Sequence, residues 1–253
     1  MELNQRQKQI LATLKVDQDV QIDQLAELFS VTTQTIRRDV NNLCEQGLAR
    51  RVHGGVSLPA TLTNTSYRFR SEVESTTKDD IAMAVAEAIP DGATVMIGIG
   101  TTVTRIAQFL LGKTTLRVVT NNLQVAKILE ANQNIEVYLA GGLFRREHQD
   151  LVGSSAVHFF EGFEADIGLC GCASVTSSHF AMEHEQLESD LSQSIIRNSR
   201  QTWLVADATK WERTTAIKVA PLAHFERIYT NKDHLPNELN VKVIPSALSP
   251  SKE

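Results

Sequence analysis

Residues 30–55 read Ser-Val-Thr-Thr-Gln-Thr-Ile-Arg-Arg-Asp-Val-Asn-Asn-Leu-Cys-Glu-Gln-Gly-Leu-Ala-Arg-Arg-Val-His-Gly-Gly, and no other stretch constrains the fold as tightly. Ile36, Val40 and Leu43 fall at i, i+4 and i+7, a single apolar stripe that a helix must bury. Thr33, Gln34, Arg37, Arg38 and Asn41 lie off that stripe, where side chains can reach a groove or a phosphate. The helix start is polar through Thr35; Thr32 or Thr33 suits its cap, and Gly47 suits its end. Arg50, Arg51 and His53 follow on a short apolar-polar alternation that Gly54-Gly55 turns back. The pattern predicts a recognition helix followed by a basic wing, with Thr32 to Thr35, Arg37, Arg38, Asn41, Arg50, Arg51 and His53 facing double-stranded DNA.

The upstream residues agree. Ile10, Leu11 and Leu14 keep helical spacing, as do Ile22, Leu25, Ala26, Leu28 and Phe29, and only Ser30 and Val31 separate the second helix from the third. A turn that short crosses two helices steeply, as a helix-turn-helix requires. Helical periodicity alone suits a small bundle with solvated arginines equally well; the tight turn, polar helix start and basic wing together decide for DNA. The chain as a whole is acidic, with 25 Lys+Arg against 30 Asp+Glu, which excludes a uniformly basic surface. Four cations nevertheless lie between positions 37 and 51 beside only Asp39 and Glu45. A local basic face serves groove binding, and the low overall charge opposes indiscriminate attachment. Two modules acting together are then needed for affinity, which predicts a homodimer or homotetramer.

At 253 residues and 42% hydrophobic, the chain can bury one sizeable core and a small satellite domain. It has no apolar run near the roughly 20 residues that span a bilayer, and Met-Glu-Leu-Asn-Gln-Arg-Gln is no signal peptide, so a cytoplasmic protein without membrane contact is expected. Cys44, Cys170 and Cys172 form neither a disulfide framework nor a zinc pattern, and the seven histidines are scattered; no metal or cofactor is expected.

The division expected is a DNA-binding domain over 1–57, a polar, proline-bearing linker over 58–76, and a larger domain over 77–253. Thr76 or Thr77 opens a helix that buries Ile81, Val85 and Ile89 and stops at Pro90-Asp91-Gly92. Short apolar strands follow at 94–97, 116–119, 135–139, 167–170, 202–206, 227–229 and 241–244, with helices at 103–111 and 123–130 between the first three. The expected fold class is α/β, a winged helix-turn-helix followed by a mainly parallel sheet covered on both faces.

Ligands bind such sheets at the carboxyl ends of the strands. Four polar loops stand there: Gly98-Ile-Gly100-Thr101-Thr102; Thr120-Asn121-Asn122; Gly141-Gly142 with Arg145 and Arg146 after it; and Asp207-Ala-Thr209-Lys210. Glycines let backbone N–H groups approach an anion, a helix N-terminus adds its dipole, and threonine hydroxyls donate further bonds. Taken singly, each loop also suits a structural turn or, at Asn122, a helix cap; four in one domain suit a pocket for a phosphorylated ligand.

Thr35-Ile36-Arg37-Arg38-Asp39-Val40, Leu43, Gly47 and Arg51-Val52-His53-Gly54-Gly55 resemble the signature of the DeoR-type bacterial transcriptional regulators. Within that family the N-terminal half, from Phe29-Ser30-Val31 to Leu58-Pro59, is most similar to glycerol-3-phosphate regulon repressors. The resemblance implies a C-terminal effector domain with a fold similar to ribose-5-phosphate isomerase that binds a phosphorylated sugar or polyol, glycerol 3-phosphate being the first candidate. Gly100-Thr101-Thr102, Thr120-Asn121, Gly141-Gly142 and Asp207 with Lys210 match its effector motifs. The chain departs from the pattern at Gly98, where Asp is common, at His179, where glycine is usual, and at Ser192-Gln193, where Lys-Arg is typical. Residues 182–188 are acidic instead.

The implied function is a repressor of a carbohydrate or polyol operon that its effector releases from DNA. The rival is a sugar-phosphate isomerase, with Glu183, Glu185 or Glu188 as the proton carrier and Lys210 stabilising the enediolate. An acidic run of this kind also suits a solvated helix start, and the isomerases' own Asp- and Gly-rich loop is not evident.

Overall fold

The computed structural model describes residues 3–17, 19–46, 48–52, 54–57, 75–236 and 238–243. Gly47, His53, Ile244, the side chain of Arg50 and residues 58–74 of the expected linker lie outside the described residues. The chain divides into two compact units, Met1–Thr65 and Ser66–Glu253.

In the first unit α1 (Gln5–Asp17), α2 (Ile22–Leu28) and α3 (Thr33–Glu45) pack together, with β1 (Asp19–Gln21), β2 (Arg50–Val52) and β3 (Gly55–Ser57) as an antiparallel sheet in the order β1-β3-β2. Ile10, Leu14, Leu25, Ile36, Leu43 and Val56 form the core and are fully buried. Side chains of this size contribute about 1.5–3 kcal/mol each on burial, enough to close a small domain. Leu28, expected inward, is 62% exposed, while Leu11 and Phe29 are only half-buried. The three-residue β1 has no legible alternation. Gly55 shows why its register matters: a Cβ there would stand 2.5 Å from the Val20 carbonyl oxygen, so only glycine lets β3 lie against β1.

Thr32, not Thr33, caps α3: the Thr35 N–H donates to its Oγ1 at 3.3 Å. Thr32→Ala is expected to cost α3 about 1 kcal/mol, read as roughly fivefold faster hydrogen exchange of its amides, with Thr32→Ser close to wild type.

The second unit is built on a seven-stranded sheet whose strands lie in the spatial order Val241–Val243, Arg227–Thr230, Ser199–Val205, Ala165–Cys170, Thr94–Ile97, Leu116–Thr120 and Ile135–Leu139, every pair of it parallel. In chain order come α4 (Ser75–Ala88), β4 (Thr94–Ile97), α5 (Thr101–Leu110), β5 (Leu116–Thr120), α6 (Leu123–Leu129) and β6 (Ile135–Leu139). An antiparallel hairpin of β7 (Leu143–Arg145) and β8 (Asp150–Val152) leads to α7 (Ser154–Glu161) and β9 (Ala165–Cys170). Then follow β10 (Ser174–Val175), β11 (Phe180–Glu183), α8 (Gln186–Arg197), β12 (Ser199–Val205), β13 (Ile217–Pro221), β14 (Arg227–Thr230) and β15 (Val241–Val243). Strands β10, β11 and β13 make a small antiparallel sheet of their own.

Side-chain alternation splits the core in two, as a strand period of two demands. Val95 and Ile97 join Ile81, Val85, Ile106 and Leu110 on one face, whereas Met96 joins Phe160, Leu191, Ile195 and Leu204 on the other. All seven strands of the main sheet were expected. The hairpin, the small sheet and α7 were not, and Leu111, which caps the end of α5, is 37% exposed.

Candidate functional site

On α3 the stripe of Ile36, Val40 and Leu43 is turned inward, which leaves Thr32, Thr33, Gln34, Arg37 and Arg38 exposed on the opposite side and Thr35 half-buried. Asp39 is buried and committed elsewhere: Arg6 Nε donates to its Oδ2 at 2.6 Å, while Asn4 and Gln7 amides reach its Oδ1 at 3.3 Å. Arg37 and Arg38 are therefore not neutralised by the acid that follows them. Arg51 on β2 donates to Asn41 Oδ1, joining wing and helix. Arg37, Asn41, Arg51 and Gly54 line one concavity between α3 and the wing turn, where Gly54 has φ +75°. The local result is a helix face with two exposed guanidinium groups beside a basic strand, the arrangement that reads a groove.

In the second unit strand order reverses at β4: the chain runs outward through β5 and β6 on one side, then returns to β9 on the other. In open parallel sheets the ligand crevice lies at such a reversal, beyond the carboxyl ends of the two strands. A cleft occupies that position. Gly100, Thr101 and Thr102 border it after β4, Gly171, Cys172 and Ala173 after β9, and Lys210 and Arg213 after β12; His148, Asp150, Glu183, His184 and Glu188 are also in its lining. Gly100, at φ +126°, is the cap of α5, so the first N–H groups of that helix open toward the cleft.

Asp207 anchors the cationic side. Burial opposes its ionisation, yet Lys210, the Thr209 hydroxyl, Lys78 and Arg213 outweigh it and hold the carboxyl below its ordinary range. It caps the short turn Ala208–Glu212 through the Thr209 N–H at 3.1 Å and so sets where Lys210 stands. Burial lifts the thiol of Cys172 well above its usual value, with Lys210 pulling the other way; burial likewise pushes Cys170 up to about 12. Both are inert buried thiols, as their apolar run suggests.

Of the expected ligand residues, Gly100, Thr101, Thr102 and Lys210 meet at the cleft, with Asp207 beneath Lys210. The others are not among its lining. Gly98 is buried and extends β4, its N–H donating to the Leu169 carbonyl at 3.1 Å. Thr120, Asn121 and Asn122 are buried in internal bonds: Thr120 Oγ1 to the Ile97 carbonyl at 2.7 Å, Asn121 Nδ2 to the Leu151 carbonyl at 2.8 Å, and Asn122 Nδ2 to Thr104 Oγ1 at 3.0 Å. Asn122 also caps α6. Gly141 and Gly142 are exposed, and Gly142 serves the hairpin: a Cβ there would lie 2.5 Å from the Val152 carbonyl oxygen.

Arg145, read from sequence as a cation open to a ligand, is spent. It grips Asp150 with two bonds, Nε–Oδ1 at 2.9 Å and Nη2–Oδ2 at 2.6 Å, and its Nη1 lies 3.0 Å from Glu185 and 3.1 Å from Glu188. The acidic segment does open a helix, with Glu185 exposed at its cap, but it is solvated only in part. Glu183 ends a buried strand, and Glu188 is 2% exposed, accepting the Glu185 N–H at 3.1 Å in a capping box. Burial lifts the Glu188 carboxyl above the usual range and Glu185 adds to the lift, against the pull of Arg145. Arg213, His184 and Asp150 on the cleft carry no local sequence signal. Among the described residues no cluster of His, Cys, Asp and Glu has metal-holding geometry, and no helix is long and apolar enough to cross a membrane.

Residues 6–61 match the DeoR-like helix-turn-helix domain and residues 73–232 the DeoR C terminal sensor domain. The glycerol-3-phosphate regulon repressor of Escherichia coli (strain K12) is 37% identical over 91% of this chain and 92% of its own. The HTH-type transcriptional repressor CsqR of the same organism is 37% identical over 92% and 88%, and the repressor GlcR of Bacillus subtilis (strain 168) 30% identical over 90% and 88%. Among solved structures, ribose 5-phosphate isomerase a from Methanocaldococcus jannaschii aligns with a TM-score of 0.40 and 12% identity over 54% of each chain, too distant to bear on activity. The full-length relatives are repressors by name rather than enzymes, and the two matched domains account for both halves of the architecture: the chain belongs to the DeoR family of transcriptional repressors.

Proposed function

We propose that the chain, as a cytoplasmic homodimer or homotetramer, holds double-stranded operator DNA of a carbohydrate or polyol catabolic operon and is released by a phosphorylated sugar or polyol. Residues 1–57 read the DNA through α3 and the wing, residues 58–76 connect, and residues 77–253 sense and assemble. The carrying observation is the cleft at the β4–β9 reversal, where the N-terminus of α5 with Gly100, Thr101 and Thr102 shares a lining with Lys210 and Arg213. Backbone N–H groups, hydroxyls and two cations suit a phosphate, and the carboxylates across the cleft suit the hydroxyls of a polyol as hydrogen-bond acceptors. Identity to a repressor named for a glycerol-3-phosphate regulon supports glycerol 3-phosphate as the first ligand to try.

Release follows from linkage: a ligand that binds the arrangement poor in DNA affinity shifts the population toward it. A thermal-shift panel of phosphorylated sugars and polyols tests the reading, because a ligand of the folded state raises its apparent stability. Lys210→Ala is expected to weaken the effector by roughly 1.5–3 kcal/mol, about tenfold to more than a hundredfold, while leaving operator binding in place. Operator release titrated with the effector, wild type beside variant, reads this directly. Equal release midpoints would remove Lys210 from the site.

A further inference from the structure

The cleft at the β4–β9 reversal has two chemically opposite walls. On one stand the N-terminus of α5, Lys210 and Arg213; on the other stand Asp150, Glu183 and Glu188. These carboxylates border the cleft yet are only 1%, 5% and 2% exposed. Solvent therefore screens them little, and a group entering the cleft meets their charge at close range.

Nor can Asp150 and Glu188 turn away. Arg145 Nε and Nη2 hold both oxygens of Asp150, at 2.9 and 2.6 Å, and Nη1 reaches Glu188 Oε1 at 3.1 Å. The other oxygen of Glu188 accepts the His184 N–H at 3.2 Å and the Glu185 N–H at 3.1 Å. Asp150 is fixed through its backbone as well, opposite Arg145 in the hairpin and in a bridge to Asn122. The two carboxylates thus present a fixed charge pattern rather than an adjustable one. Arg145 itself offers a ligand anion nothing. Each of its guanidinium nitrogens already faces a carboxylate, Nη1 facing Glu185 as well at 3.0 Å, and the side chain is 11% exposed. One guanidinium against Asp150, Glu185 and Glu188 leaves this wall net negative before Glu183 is counted. Across the cleft, Asp207 already draws on Lys210 and Arg213, the cations open to a phosphate.

We infer that Asp150 and Glu188, locked by Arg145, are the selectivity element of the cleft: they admit a phosphate whose other end is uncharged and hydroxylated, and reject one whose other end carries a carboxylate. The inference rests on the cleft being the effector site, and it narrows the effector to phosphates of polyols and neutral sugars as against phosphates of sugar acids. Hydroxyl groups donate to carboxylate oxygens and can satisfy the lone pairs that face the cleft. A second anion on the ligand would instead be buried beside fixed charges of its own sign, with the nearest cations already committed to its phosphate. Juxtaposed like charges are a strong device for turning away a wrong partner.

Matched ligand pairs test this by isothermal titration of the full chain at about pH 8, where phosphate and carboxylate are both ionised. Glycerol 3-phosphate is set against 3-phosphoglycerate, and glucitol 6-phosphate against 6-phosphogluconate, with inorganic phosphate as the probe of the cationic wall alone. In at least one pair the uncharged member should bind wild type about tenfold or more tighter than its carboxylated partner. Glu188→Gln removes one charge, and glutamine serves a capping box as glutamate does. The carboxylated member should bind this variant about tenfold or more tighter than it binds wild type, a gain that damage to the fold does not produce. Should Glu188→Gln fail to fold, Asp150→Asn is read in the same way, and the wild-type pairs decide by themselves. If inorganic phosphate binds but neither pair shows the preference, or a folded variant shows no gain, the inference falls and the phosphate site stands. If inorganic phosphate and every pair member fail to bind, the effector site falls and takes the inference with it.

Discussion

Operator affinity is expected to fall by about 2–5 kcal/mol, roughly thirtyfold to several thousandfold, when Arg37 and Arg38 are both replaced by alanine. Both guanidinium groups are exposed on α3, and the neighbouring acid that could have neutralised them is held by Arg6. Each is therefore available to a guanine edge or a phosphate. Titration at several salt concentrations separates the two uses. Loss of a phosphate contact lowers the salt slope by about one unit per contact, whereas loss of a base contact leaves the slope and flattens discrimination among operator variants. Wild-type affinity in the double variant would show that α3 does not read the operator.

Arg145→Ala should destabilise the sensor unit by about 3–5 kcal/mol. Its side chain is 11% exposed and faces Asp150 and Glu188, themselves 1% and 3% exposed, so its removal leaves two buried carboxylates without a counter-charge. Those groups then hold protons in the folded state at higher pH than in the unfolded chain. The folded variant thus binds more protons than the unfolded one, and its stability declines as pH rises. The deficit relative to wild type should widen as pH rises from about 4, the ordinary carboxylate range, because burial already lifts Glu188 above that range and the loss of Arg145 lifts it further. Arg145→Lys keeps the charge but loses the two-pronged grip on Asp150, and should fall between the two. Thermal melts across that range check the sign; a deficit that shrank as pH rose would contradict the ion cluster as the source.

The reading head is legible in sequence because its determinants are local. A turn of a few residues, a stripe at 3.6-residue spacing and a glycine pair specify it without reference to distant chain. The strands of the parallel sheet are legible for a related reason, since burial on both faces makes each a short apolar run. The cleft is only half legible. Gly100-Thr101-Thr102 and Lys210 sit at strand ends in chain and in space alike. Thr120-Asn121-Asn122 looks the same by composition, but its partners Ile97, Thr104 and Leu151 are 18 to 30 residues away, and they turn its polar groups inward. Arg145 and the acidic segment mislead in the same way. Each looks solvated alone, and the burial of Arg145 and Glu188 comes only when hairpin and helix start meet. Polar side chains at strand ends have two uses, and long-range neighbours choose between them.

The reversal of strand order that creates the cleft also dictates when the sensor can form. Thr94 at the head of β4 is tied to Asp166 at a separation of 72 residues, and Val95 is paired with Ile167. A ribosome therefore releases β4, β5 and β6 well before the strand that closes the other side of β4 exists. During that interval Val95, Met96 and Ile97, fully buried in the finished protein, lie on an open edge. Fragments ending before residue 165 should accumulate as aggregates, whereas the short-range contacts of the first 57 residues let the reading head fold while the sensor is still being made. The order of synthesis thus delivers a DNA-binding surface before it delivers the means of controlling it.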